Sequence, residues 1–334
     1  MGAGLQGQGV RMGFEERRVL VTGASGFIGR SLCAELTRRG CDVLALLRRP
    51  AAGPWSSVVR AELGSGSMSA ASLEGVDTIF HLAGKAHVKA RSAAEVREYE
   101  AVHVHGTRSL LVAAREAGVR RFVLLSSVKA MGEEGEVIRD EDSPCDPQGP
   151  YGITKLEAER LVLEELPLPC PAVLRPALVY GAGSKGNLDL MIRAVRKGLF
   201  PAIAFPPNAR SMIHVVDVVR ACLLAADHPA ACGRTYVLTD GLEYSTNDIV
   251  AWIFEALGKR PGFRLPFPVL QAASHFGDLA CKLGLPAPLT SDALEKLAGS
   301  ARYSNAKICR ELGFAPSRDL RQGIREMISG LGRD

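Results

Sequence analysis

The sequence predicts an α/β fold: a Rossmann-type, doubly wound parallel sheet with a smaller, interleaved C-terminal substrate lobe. Three observations predict it. A glycine-rich turn, Thr22-Gly23-Ala24-Ser25-Gly26-Phe27-Ile28-Gly29, joins a β-prone run to an apolar-periodic helix. Short apolar runs then keep alternating with helical segments, the signature of a parallel sheet with ligands at the carboxyl ends of its strands. Far downstream, Tyr151-Gly152-Ile153-Thr154-Lys155 sets a phenol and an ammonium four positions apart, on one helix face.

In order, Arg18 to Val21 reads as the first strand and Ile28 to Arg39 as a helix closed by Gly40 as C-cap. Asp42 to Leu47 is the second strand, Val58 to Leu63 a weaker third and Thr78 to Leu82 the fourth. Glu95 to Ala117 reads as a long helix stopped by Gly118, and Phe122 to Ser126 as the fifth strand. The Tyr151 helix runs to about Glu165, where Pro167, Pro169 and Pro171 break it before a strand at Ala172 to Leu174. Beyond Pro176 the pattern is irregular, with Gly/Pro-rich loops near 181–187 and 201–209. His214 to Ala226 and Thr246 to Leu257 read as helices, and Val269 to Leu283 is amphipathic enough to cover a lobe or meet a partner. The resulting division is a flexible extension over 1–16, a dinucleotide-binding domain over 17–175 and a substrate-binding lobe over 176–334 with segments returning to the sheet. The extension is rich in Gly and Gln and lacks the apolar core of a signal peptide; Met12 is an alternative start.

The 334 residues can bury a large core, and 47% apolar with 23% charged residues is ordinary for a soluble globular protein. A net charge of +5 with dispersed basic residues argues against nucleic acid and leaves an acidic ligand such as a nucleoside diphosphate compatible. The eight cysteines, at 33, 41, 145, 170, 222, 232, 281 and 309, form no CxxC pair and no regular framework, so free or buried thiols in a reducing cytosol are expected. No run is long and apolar enough to span a bilayer, which points to a cytoplasmic protein.

The glycine turn lets backbone N–H groups approach a pyrophosphate while the following helix aims its positive end at it. Its spacing is GxxGxxG rather than the usual GxGxxG, and a tight turn in an unrelated α/β protein is the plainer alternative. Where an NAD site places an acid after the second strand, this chain has Arg48 and Arg49. A guanidinium suits a ribose 2′-phosphate, and a solvated strand end suits it equally, so NAD and NADP both stay open. A free phenol titrates near 10. A nearby ammonium and an oxidised nicotinamide both favour the phenolate, so Tyr151 is expected to exchange a proton with a sugar hydroxyl beside Lys155. Ser127, just past the fifth strand, is placed to bond the same oxygen. His103 and His105 point to different helix faces and make a poor metal pair; no metal is expected.

These residues resemble the extended branch of the short-chain dehydrogenase/reductases, the NAD-dependent epimerase/dehydratase family, and within it the UDP-glucose 4-epimerase-like nucleotide-sugar epimerases and reductases. The resemblance covers about 17–330 and rests on VTGASGFIG (21–29), HLAG (81–84), LLSSVKAMGE (124–133), YGITK (151–155), LRPALVYG (174–181) and RSMIHVVD (210–217). It implies that Gly23, Ser25, Gly26, Phe27, Ile28 and Gly29 line the cofactor phosphates. Glu62 and Leu63 would lie near adenine, and Leu82, Ala83, Gly84 and Lys85 would flank the dinucleotide. Ser127, Tyr151 and Lys155 would be catalytic. In the lobe, Asn187 and Leu188 would contact UDP, Phe205 would lie against uracil and Arg210 would grip the diphosphate. As plainer alternatives, Asn187 is a cap, Phe205 a core residue and Arg210 a surface charge.

The chain departs from the family at three places. Leu178 replaces a common Asn, and His103 stands where 4-epimerases commonly carry Asn. Val128-Lys129-Ala130 occupies the place of the Asp-Glu pair of the 4,6-dehydratases, which disfavours dehydration. The expected function is redox chemistry at C4 of a UDP-hexose or UDP-N-acetylhexosamine, with 4-epimerisation ahead of an NADPH-dependent 4-keto reduction and, more remotely, a non-catalytic cofactor sensor. The expected partners are a UDP-sugar and, through the helices at 95–117 and 151–165, a second copy of the chain.

Overall fold

The structure, a computed structural model, describes residues 14–66, 68–85, 92–132, 135–262, 264–282 and 290–331. Residues 1–13 of the expected extension, Met12 among them, lie outside the described residues, as does Leu283. The strands in chain order are β1 (Arg18–Thr22), β2 (Asp42–Leu47), β3 (Ser57–Arg60), β4 (Thr78–His81), β5 (Arg121–Leu125), β6 (Gly135–Arg139) and β7 (Cys170–Pro176). There follow β8 (Leu178–Tyr180), β9 (Ala202–Ala204), β10 (Arg210–His214), β11 (Arg234–Leu238), β12 (Glu243–Tyr244), β13 (Arg264–Pro266) and β14 (Ala301–Tyr303).

Seven strands form one parallel sheet in the order β11-β7-β5-β4-β1-β2-β3. Its central strands are near-continuous apolar runs because helices cover both faces; Val43 to Leu47 are buried without a break. The first helix, Phe27–Arg38, stops at Gly40 (φ +80°), where Gly40 N–H donates to Thr37 O and Cys41 N–H to Leu36 O, a Schellman closure. Gly118 closes the long helix in the same way, with Val119 N–H on Ala114 O. That helix, Ala93 to Glu116, contains a π-helical turn at Ala101–His105 that the sequence did not announce. Phe14, at the end of the expected extension, is fully buried against Phe80 and Arg17 rather than loose.

After Pro176 the chain leaves this sheet, builds β8 to β10, and returns: the helix Val215–Asp227 packs on the helix Phe27–Arg38 and on β5 and β7, and β11 pairs with β7. A second sheet, β12-β10-β14-β6 with β8 on β10, and a two-stranded pair, β9 with β13, make the lobe. Its core is a separate apolar cluster that includes Tyr180, Ile192, Ile253 and Ile324.

One expectation is corrected here. Cys170 and Cys232 are not thiols but a disulfide, with Cα atoms 4.7 Å apart. Cys170 opens β7 and Cys232 lies two residues before β11, the strand that returns from the lobe to pair with β7. Cys33, Cys41 and Cys222 are buried thiols, as expected. Among the described residues no helix is long and apolar enough to cross a membrane.

Candidate functional site

The sheet order reverses between β1 and β4, and a crevice opens there at the strands' carboxyl ends. Gly23 turns the chain with φ +68° and packs so tightly on the β4 exit that a Cβ would lie 2.8 Å from Ala83 N. A Cβ on Gly29 would lie 2.1 Å from Gly23 O. Both contacts are with backbone and cannot be relieved by a rotamer change, so the turn admits only glycine at these points. The helix that follows starts at Gly26 with no side-chain cap and no acid in its first turn, which leaves its positive end to a ligand.

The cleft above has a volume of about 860 Å³. Gly23, Ser25 and Gly26 form its floor, with Phe27, Ile28 and Gly29 in the helical turn below. Leu82, Ala83, Gly84 and Lys85 make one wall. Arg48, Glu62 and Leu63 make the far end, where Arg48 Nη1 sits 3.8 Å from Glu62 Oε1. Both side chains are exposed, so that pair is weak and either partner can turn to a ligand. Arg49 is exposed and lies outside the lining of the cleft. Glu98, Ala101 and Val102 close the remaining side and were not anticipated. The π-helical turn brings in Ala101 and Val102: a Cβ on Gly64 (φ +87°) would lie 2.2 Å from Ala101 O, so the loop after β3 hugs that turn.

Ser127, Tyr151 and Lys155 are brought together. Pro150 occupies the first turn of the helix Pro150–Arg160, and Gly152 lets it press on the turn Val128–Met131, where a Cβ would meet Lys129 O at 2.4 Å. That approach sets the Tyr151 phenol in hydrogen-bond reach of Ser127. Ser127 also caps the turn by accepting from Lys129 N–H at 3.2 Å. Burial pushes the Tyr151 phenol up to about 12, against the pull of the Ser127 hydroxyl. The expected lowering by Lys155 is corrected: its ammonium is buried, held down at about 8, and donates to Leu125 O at 2.9 Å. Behind it, Glu159 takes a bidentate Arg175 and the Ser126 hydroxyl, so the buried carboxylate is fully engaged.

Two buried histidines tie the site together. His81, at the end of β4, stands between Thr22 Oγ1 (2.7 Å) and Thr107 Oγ1 (2.9 Å). His103, in the π-helical turn, accepts from Lys85 N–H at 3.0 Å and meets Thr154 Oγ1 at 2.9 Å. Burial holds both rings down at about 3, and the Lys155 charge adds to it, so both are neutral. His105 is exposed, on another face from His103.

The lobe residues do not line the cleft. Asn187 is exposed at the start of the helix Asn187–Arg196, while Leu188 is buried in the lobe core. Phe205 is corrected from a displayed ring to a core residue: it is buried, 6.1 Å from the Phe267 ring, with Asn247 pairing both its backbone groups. Arg210 is half-buried and donates through Nη1 to Gly299 O at 2.7 Å. Leu178, the departure noted above, is exposed on β8.

The sequence profile of the NAD-dependent epimerase/dehydratase family matches residues 19–239. The chain is 29% identical over 320 residues to a UDP-glucose 4-epimerase of Vibrio cholerae, covering 93% of this chain and 94% of that one. It is 32% identical over 334 residues to a 3β-hydroxysteroid dehydrogenase/Δ5→4-isomerase of Mycobacterium tuberculosis, covering 93% and 89%. The solved structure of MoeE5 in complex with UDP-glucose and NAD superposes with a TM-score of 0.75 at 30% identity, covering 95% of this chain and 99% of that one.

Proposed function

The chain belongs to the NAD-dependent epimerase/dehydratase family, and on that premise we propose that it carries out NAD(P)-dependent redox chemistry at C4 of a UDP-sugar, first of all 4-epimerisation of a UDP-hexose or UDP-N-acetylhexosamine. The observation that carries this reading is the Ser127–Tyr151 pair beside Lys155, next to a cleft whose turn admits only glycine at 23 and 29.

The cradle fits a dinucleotide. Gly23, Ser25 and Gly26, with the helix end at Phe27, Ile28 and Gly29, would hold the pyrophosphate. Glu62 and Leu63 would face the adenosine, and the wall from Leu82 to Lys85 would run beside the dinucleotide toward Tyr151 and Lys155. When bound, the dinucleotide supplies a hydride acceptor and donor. Tyr151 would move a proton between its Oη and the sugar O4, and Ser127 would bond the same oxygen as its charge changes. A phenol held at about 12 is protonated at neutral pH and ready to give a proton to a carbonyl oxygen. To take one from a hydroxyl it needs positive charge brought near the ring, which Lys155, turned to Leu125 O, does not supply in this arrangement. Arg210 and Asn187 would contact the UDP, with Leu188 and Phe205 shaping the lobe from within. The turn Val128–Met131 supplies no acid/base pair, which fits reversal of hydride position rather than loss of water. The exposed Val112 and Ile153 suit these two helices to pairing with a second copy.

Arg48 in the cleft favours a second reading, an NADPH-dependent reductase of a 4-keto nucleotide sugar. A cofactor-sensing protein without catalysis is the remote third, since nothing in such a role needs Tyr151 and Lys155. Incubating the purified protein with UDP-hexoses and UDP-N-acetylhexosamines without added cofactor tests the first reading, and a 4-keto sugar with NADPH tests the second. The variant Tyr151→Phe is expected to lose at least 100-fold in turnover, on the order of the usual acid/base contribution; unchanged turnover refutes the assignment.

A further inference from the structure

His103 has no place in the chemistry above, yet it is buried at 2% exposure and bonded on both ring nitrogens. The direction of each bond follows from the partners. Lys85 N–H can only donate, so His103 Nε2 is the acceptor and, in a neutral ring, Nδ1 carries the proton. Nδ1–H then donates to Thr154 Oγ1, whose own hydrogen goes to Pro150 O at 2.8 Å. A parallel chain runs from Ala83 N–H to Thr22 Oγ1 (3.0 Å), on to His81 Nδ1, and from His81 Nε2–H to Thr107 Oγ1. Thr107 closes it on His103 O at 2.5 Å. The His103 ring also stands edge-on to the Tyr151 ring at 5.6 Å, with Tyr99 on both.

We propose that His103, as its Nδ1–H tautomer, is a positioning residue that fastens the helix carrying Tyr151 to the Gly84–Lys85 wall of the cleft, an inference that rests on Tyr151 being the proton-transfer group. The ring bridges a gap that joins two elements far apart in sequence: the Lys85 backbone, whose neighbour Gly84 lies against both His103 and Lys155, and the first turn of the Tyr151 helix. A proton on Nε2 would face the Lys85 N–H and break the bridge, so the ring must stay in one protonation state for the wall and the phenol to keep their spacing. An Asn at this position reaches Thr154 through its amide N–H but leaves Lys85 N–H without its acceptor.

The test combines spectroscopy with kinetics. In 15N-histidine NMR of the wild-type protein, His103 is expected to show a protonated Nδ1 and a bare Nε2 from pH 8 to pH 5. A protonated Nε2 in that range overturns the proposal. His103→Phe keeps the ring and removes both bonds; kcat is expected to fall by on the order of 10- to 100-fold, as a small misplacement of a reacting group does, with KM for the UDP-sugar within about twofold. His103→Asn is expected to recover part of that loss and to weaken cofactor binding, measured by fluorescence titration. Wild-type kcat in His103→Phe overturns the proposal, as does a joint rise of KM and loss of folded protein in both variants. The Tyr151→Phe control separates the two ideas: if it turns over normally the proton-transfer reading fails, and the NMR result still decides whether His103 holds the bridge.

Discussion

Lowering the pH from 7 to 5 should cost this protein stability through His81, and replacing that ring by Gln should remove the cost. His81 is 1% exposed and held at about 3 against an ordinary value of 6.5. Its folded value is depressed, so below pH 6.5 the unfolded chain takes up a proton that the folded chain refuses. Stability is therefore complete above about pH 6.5 and is lost as the pH falls. At pH 5 the difference amounts to about 2 kcal/mol, from 1.36 kcal/mol per pH unit over about 1.5 units. Asp240 works in the opposite sense: burial raises it from 3.8 to about 6, so the folded chain gains the proton first and gains about 1 kcal/mol over the same range. In the wild-type curve Asp240 offsets part of the His81 loss, while His103, also held at about 3, adds a second loss of the same sign. The His81 loss separates out in the difference between wild type and His81→Gln, because both proteins keep Asp240 and His103. Gln preserves one donor and one acceptor for Thr22 and Thr107, so the variant is expected to start lower at pH 7 and then to lose about 2 kcal/mol less than wild type by pH 5. Urea unfolding followed by circular dichroism at pH 7, 6 and 5 measures this. Two curves that run parallel across that range would refute the claim that His81 is held neutral in the native state.

The remaining expectations concern the cleft and the fold. Gly29→Ala drives a Cβ into Gly23 O and should cost about 3 kcal/mol and abolish dinucleotide binding by calorimetry. Gly118→Ala, also at positive φ but with open space around it, should cost only about 1 kcal/mol and leave binding intact; equal effects would refute the backbone-contact argument. Arg48→Ala should weaken NADPH about tenfold more than NADH in a fluorescence titration, if the guanidinium meets a 2′-phosphate. Equal loss for both would assign it to the surface. The Cys170–Cys232 bridge closes a separation of 62 residues, for which the loop-entropy relation gives about 4 kcal/mol. The variant Cys170→Ser/Cys232→Ser should show a lower urea midpoint than the oxidised wild type, and adding reductant should shift the wild type alone.

The parts of the fold that local chemistry dictates were legible in the chain. The turn from Thr22 to Gly29, the run Asp42–Leu47 and the closures at Gly40 and Gly118 each answer to a few neighbouring residues, and each stands where the pattern put it. The Ser127–Tyr151 meeting was legible from the place of Ser127 just past the fifth strand and from the ordered motifs at 124–133 and 151–155, while the close approach that Gly152 allows was not. The state of that phenol was not, since it depends on how deeply packing buries it. What was hidden depends on elements distant along the chain. Thr22, His81, His103, Thr107 and Thr154 come from four separate segments, and only their assembly makes one hydrogen-bonded chain. The second sheet was missed because strands of two to five residues with exposed faces, such as Gly135–Arg139, leave little periodicity to read. Phe205 shows the limit of a single aromatic: a ring for a base and a ring for a core look alike until its burial is known.

The late return of β11 to the edge of β7 bears on how the molecule is made and altered. During synthesis the outer backbone groups of Cys170–Pro176 emerge before their partner exists, and they stay uncovered while the chain detours through the lobe. A fragment cut after β7 would be stranded in that sticky condition, deprived also of the helix Val215–Asp227 that roofs the sheet. The two halves therefore cannot be traded like modules. A change of substrate preference in this architecture has to come from edits to the loops, because any transplant of the lobe must bring back the strand that finishes its host.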